Sequence, residues 1–239
     1  MAVNEYRLRP GAAPRKHRIG FWWIVLSATA IAAFAVLPYA TQSLRDLAAD
    51  DKEVAANYVD RAVWLKTVFY LHVGCGGTAL LLSPLQFADR VRLRLPRLHR
   101  AVGRIVLSAI VVAGSAGLIL AWTNLAGPIG TAGFGTLAAL WLVGAVNAYR
   151  TIRRGDVAAH HRWVVRTFAL TYAAVTLRLW LIALTPLFVS MQGIDDHLAF
   201  LRAYLIVPFL CWVPNLMVAE LWLLRDAADP RRAGGGSGA

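Results

Sequence analysis

Residues 163–189 read WVVRTFALTYAAVTLRLWLIALTPLFV, a run of membrane-spanning length that carries an arginine, Arg178, near its middle. At a rise of about 1.5 Å per residue such a helix covers roughly 40 Å, more than the roughly 30 Å hydrocarbon core of a bilayer. The arginine has to be accommodated inside that core, and this requirement shapes the reading of the rest of the chain.

Working outward, five more stretches have spanning length: 20–40, 63–86, 101–122, 132–149 and 201–224. The composition agrees, with 58% hydrophobic residues, only 16% charged and a mean hydropathy of +0.54. A soluble domain carries about a quarter charged residues. Backbone groups in lipid must be satisfied internally, so the spans should be helices; a barrel would need alternating ten-residue strands, and none is legible. The expected fold is an all-α bundle of six transmembrane helices over residues 20–225. A basic tail, 1–19, precedes it, and a Gly-rich linker-like tail, 226–239, follows. Residues 20–40 are too long for the apolar core of a secretion signal.

Net charge +12 suggests nucleic-acid binding only if the charge lies on a soluble face, and here it lies in short loops. Nineteen lysines and arginines fall in the N-tail, the loops near 90–104 and 150–166, and the C-tail. The opposite side has Arg45, Lys52, Arg61, Lys66 and Arg202 among seven acids. The positive-inside rule therefore predicts both termini in the cytoplasm. Segment 41–62, the one long outer loop, is expected to contain a short surface helix. Cys75 and Cys211 lie in apolar runs, with no CxxC or zinc spacing, and read as small buried hydrophobes.

Ionisable residues within the spans are the candidates for function. His72, Arg178 and Glu220 qualify. His72 and Arg178 each lie about ten residues from the outer end of their helices, so they share a depth. Gly76 falls on the face of His72, where either a flat ligand or a neighbouring helix would approach. At 100° per residue Arg178, Thr171, Thr167 and His160 form one stripe expected to face the bundle interior. No carboxylate shares the depth of Arg178; Glu220 lies near the inner end of helix 6, where cytoplasmic-side arginines are its expected partners.

A second cluster lies at the cytoplasmic edge. Leu98-His99-Arg100-Ala101-Val102-Gly103-Arg104 and His160-His161-Arg162-Trp163-Val164-Val165-Arg166 enter the membrane from one side. Facing histidines on two helices are a way to ligate heme iron, with His99 and His160 or His161 as axial ligands and Arg100, Arg104, Arg166 and Arg178 as anion partners. His99 and His161 are the expected metal pair. The same residues also suit lipid phosphates.

His72 through Gly76, Leu80 and Pro84-Leu85-Gln86-Phe87, then Leu98-His99-Arg100 with Gly103-Arg104, then His161-Arg162-Trp163 with Arg166 and Arg178, resemble a bacterial membrane-protein family catalogued as domain of unknown function 2306. The resemblance covers about residues 65 to 190. It implies a polytopic protein of the bacterial inner membrane and supplies no reaction. The chain is more loosely similar to six-helix, ascorbate-reducible b-type cytochromes, but helix 4 lacks a histidine and His72 has no second histidine at its depth.

Two functions follow as expectations. One is a redox protein holding heme b or a quinone, with His72 as a hydrogen-bond donor to the quinone or a weak second site. The other is a non-redox module that binds or carries a lipid or small molecule, or serves as an assembly partner, through a His72/Arg178 polar interior. The sequence shows no inverted repeat and no second interrupted helix to match the one that Pro208 and Pro214 kink, which argues against transport. No nucleophile–base pair, HExxH or phosphate loop is present.

Overall fold

The computed structural model describes residues 15–50 and 52–228, with side chains from residue 19 onward. The basic tail up to residue 14, the Gly-rich tail from residue 229, and the side chains of Arg15 to Arg18, His17 among them, lie outside this description. Twelve helices are described: α1 Arg15–Thr41, α2 Leu44–Ala49, α3 Glu53–Val59, α4 Val63–Leu82, α5 Pro84–Phe87, α6 Asp89–Arg94, α7 Pro96–Leu120, α8 Gly127–Arg153, α9 Val157–Thr171, α10 Ala173–Gln192, α11 Asp196–Leu210 and α12 Val213–Ala227. They combine into six helical segments long and apolar enough to cross a membrane: Ile19–Thr41, Val63–Phe87, Pro96–Leu120, Gly127–Arg153, Val157–Gln192 and Asp196–Ala227.

The centre of the bundle is closed by small residues. Along α7, Ala109, Ala113, Gly114, Ala116 and Gly117 are buried, facing α4 and α8. Lipid tails are as apolar as leucine, so helices in a bilayer associate by close approach rather than by hydrophobic exclusion, and small residues allow it. Gly144 of α8 shows how close that approach is, because a Cβ there would lie 2.6 Å from the Thr167 hydroxyl of α9. Gly76 has the same use, since its Cβ would meet Ala113 at 4.0 Å and a helix occupies the face left open for a flat ligand. Cys211 is fully buried among Trp141, Leu170 and Trp212, while Cys75 packs partly buried at the same core.

The long loop after α1 folds as two short helices. Ser43 begins α2 with a capping box closed by Asp46. Leu44, Leu47, Ala55 and Tyr58 then bury themselves against Leu65, Phe69 and Leu120, so this segment packs down on the bundle end rather than lying free on a surface. Tyr58 stacks on Phe69 at 4.6 Å, and burial pushes its phenol pKa up.

The last two spans are broken. Helix 5 divides into α9 and α10 at Tyr172, with no proline or glycine there. Thr167 and Thr171 each return a hydroxyl hydrogen bond to the carbonyl four residues back, a pattern that bends helices. The Tyr172 hydroxyl pairs with Ser27 of α1 at 2.7 Å. Helix 6 divides into α11 and α12 at Cys211–Trp212, between Pro208 and Pro214. There the Trp212 indole donates to the Pro208 carbonyl at 2.8 Å, replacing a backbone bond that the break removes.

The two breaks face each other. Thr176 donates to the Cys211 carbonyl across them. Asn215 donates to Thr176 Oγ1 at 3.0 Å and to the carbonyls of Ala169 at 3.3 Å and Cys211 at 3.1 Å. Irregular backbone at membrane depth is tolerated where protein satisfies it, and these two side chains do so. The expectation that helix 6 alone would be interrupted is thus corrected: a second break lies beside the first.

Candidate functional site

Arg178 lies on α10, six residues past the break. The stripe expected to carry it is not continuous, because that break turns the two halves to different neighbours. Thr167 and Thr171 face α8, where Trp141 Nε1 donates to Thr171 at 2.9 Å, and His160 Nδ1 donates to the Ala148 carbonyl of α8 at 2.8 Å. Arg178 instead lies within electrostatic reach of Tyr204 and Cys211 on the α11 side, Tyr39 of α1 and His72 of α4. Three other helical segments therefore approach it.

The protein hydrogen bond that Arg178 makes runs from Nη1 to the carbonyl of Ala174 on its own helix, at 3.0 Å. Among the described residues no carboxylate pairs with it. A guanidinium has five N–H donors and no acceptor, so most of its capacity is turned towards groups other than carboxylates. His72 lies close by, but its Nδ1–H is spent on the Ala113 carbonyl at 2.9 Å. Its ring is held against Gly117, where a Cβ would lie 3.2 Å from Cε1. A carbonyl only accepts, so the neutral ring keeps its lone pair on Nε2. His72 is thus an acceptor towards any ligand, which corrects the expectation of a donor to a quinone.

Glu220 has its expected type of partner. Arg166 donates to it twice, from Nε at 2.5 Å and from Nη2 at 2.8 Å, with the guanidinium 5.2 Å above the Trp163 ring. This bidentate pair removes Arg166 from the anion partners of a cofactor.

At the arginine-rich end, His99 of α7 lies within electrostatic reach of His160, Arg92 and Arg100. His161 stacks its ring beside Trp222 of α12 at 5.8 Å. His160, one of the two histidines expected to pair with His99, is thus within electrostatic reach of it. Arg100 and Arg104 are exposed. No group of three or more His, Cys, Asp and Glu side chains fit to hold a metal gathers among the described residues. Among the described residues, this end presents His160, whose Nδ1 is bonded to the Ala148 carbonyl, and His99, whose Nδ1 is buried and unpartnered.

Ionisable type alone does not single out Gln86, Asn215, Tyr39 and Tyr204. A polar side chain within an apolar run was the available signal for Asn215, and Gln86 already stood in the motif that carries the resemblance.

No curated protein and no solved structure matches the chain, so the loose likeness to b-type cytochromes has no counterpart there. A family described as "Predicted membrane protein (DUF2306)" matches residues 69–223, which include His72, both edge segments and both helix breaks. The chain belongs to that family of membrane proteins.

Proposed function

We propose that the protein is a non-redox binding module of the bacterial cytoplasmic membrane, for a small acid with an apolar body. The observation that carries this reading is Arg178, a cation inside the bundle with no carboxylate partner. An ionised guanidinium at membrane depth costs several kcal/mol on insertion scales, so a protein that keeps one unneutralised gains most from an anionic ligand. Tyr39 and Tyr204 add hydroxyl donors near the charge. A quinone, being neutral, leaves the charge unanswered. The paired breaks beside the site support the carrier form of the reading, since discontinuous helices line the binding sites of secondary transporters.

Extraction of the purified protein with organic solvent and mass spectrometry of the extract tests this. The wild type should release an acid that Arg178→Leu does not retain, while both insert equally. A retained quinone, or identical extracts, would contradict it. The arginine-rich end should face the cytoplasm. Reporters at either terminus should read inside and one placed within 45–58 outside.

Heme b is the second reading, favoured by the approach of His99 and His160. The two imidazoles would be axial ligands, with Arg100 and Arg104 beside the propionates. It predicts a b-type reduced-minus-oxidised spectrum that His99→Ala and His160→Ala each abolish. A colourless protein that stays so after heme addition would exclude it.

A further inference from the structure

We propose that the arginine-rich end contains a phosphate site whose inner donors are Gln86 and His99. The site is built by a wedge of four residues. After α4, Ser83 returns its hydroxyl to the Ala79 carbonyl at 2.6 Å, and Pro84 starts the single turn α5 between α7 and α9. Phe87 fixes the turn on α9 through an edge contact with Phe168 at 4.9 Å. Gln86 lies on α7 at Gly103, where an added Cβ would be 3.1 Å from Gln86 Oε1. His99 is one turn before Gly103, on the same face of α7.

Gln86 Nε2 and His99 Nδ1 are the two buried side-chain polar atoms, among the described residues, with no hydrogen-bond partner. Buried donors are almost always partnered; Gln86 Nε2 carries N–H groups and His99 carries one on Nδ1 in one of its tautomers, so an acceptor shared between α5 and α7 would satisfy both. The surrounding charge gives that acceptor its sign. Arg92 and Arg100 act on His99, the Asp89 carboxylate is already paired with Arg92 at 2.6 Å, and α7 begins at this end with its positive dipole end, while the α9 end is capped by Asp156. This field repels a metal cation and suits an anion with several acceptor oxygens. A phosphate group has them, and at the edge of a span it comes either as a lipid headgroup or as a free ion.

The test uses the full chain in neutral detergent and two probes: inorganic phosphate, and mixed micelles of phosphatidylglycerol. Phosphate binding should raise the melting temperature, and His99→Gln or Gln86→Leu should weaken the apparent affinity by about tenfold. Gln86→Glu, which sets a carboxylate beside His99, should abolish the response. Arg178→Leu should leave it unchanged. A response to both probes assigns the site to the phosphate group itself, and a response to the lipid alone assigns it to a headgroup. A melting temperature insensitive to both, a response equal in wild type and Gln86→Glu, or a b-type heme spectrum lost in His99→Gln would overturn the proposal.

Discussion

Two arginines of helix 5 are held in opposite ways. Arg166, near the arginine-rich end, is closed by a bidentate bond to Glu220, while Arg178, deeper in the span, has the carbonyl of its own helix. The first is a structural solution: charge, counter-charge and a tryptophan face in one contact. The second is incomplete as a structural element. A bundle that needed only polar packing at Arg178 could have used a neutral side chain, so the contrast separates an arginine that serves the fold from one that serves a ligand.

The largest expected effect is on binding. Arg178→Leu should weaken retention of the acid by roughly 10- to 100-fold, the loss of one or two charge-assisted hydrogen bonds, with melting temperature equal or higher. Arg178→Lys should recover only part of the affinity, because an ammonium lacks the planar fork. A fall in stability in Arg178→Leu, measured by thermal unfolding in detergent, would erase the contrast with Arg166.

Arg166→Leu should show the reverse pattern. It leaves Glu220 without its partner, and for this half-exposed pair the cost should be about 1–2 kcal/mol, with acid retention unchanged. Arg166→Leu with Glu220→Leu should restore most of that loss, and a double-mutant cycle in mild denaturant measures it. Asn215→Leu should have the smallest effect, about 1 kcal/mol, since it removes the Asn215 bond to the Ala169 carbonyl while Thr176 still holds the Cys211 carbonyl. Hydrogen exchange confined to residues around 172 and 211 would register it.

The contrast between the two arginines was partly legible in the sequence. Six spans could be read because hydrophobic length is a local property. Glu220 could be matched to the arginines at its own depth for the same reason. The break at Tyr172 could not, because neither proline nor glycine marks it and the threonines that bend the helix look like ordinary span residues. The inner half of the stripe was legible, since Thr167 and Thr171 are buried as expected, but a 100° count does not carry across the unseen break to Arg178. The turning of the His160 ring to the Ala148 carbonyl depended on which side of α9 meets α8, a packing fact fixed by Gly144 and Ala148 rather than by spacing. Gln86 escaped notice because its importance lies in a bond not made, which a sequence does not display.

The most direct measurement compares a long-chain carboxylate with its own methyl ester as thermal stabilisers of the purified protein. The two probes share an apolar body and differ in charge, so the comparison isolates what Arg178 is asked to recognise. The acid should raise the melting temperature of the wild type and the ester should not, and Arg178→Leu should respond to neither. Equal stabilisation by acid and ester, or an undiminished response in Arg178→Leu, would contradict the assignment of Arg178 to a ligand.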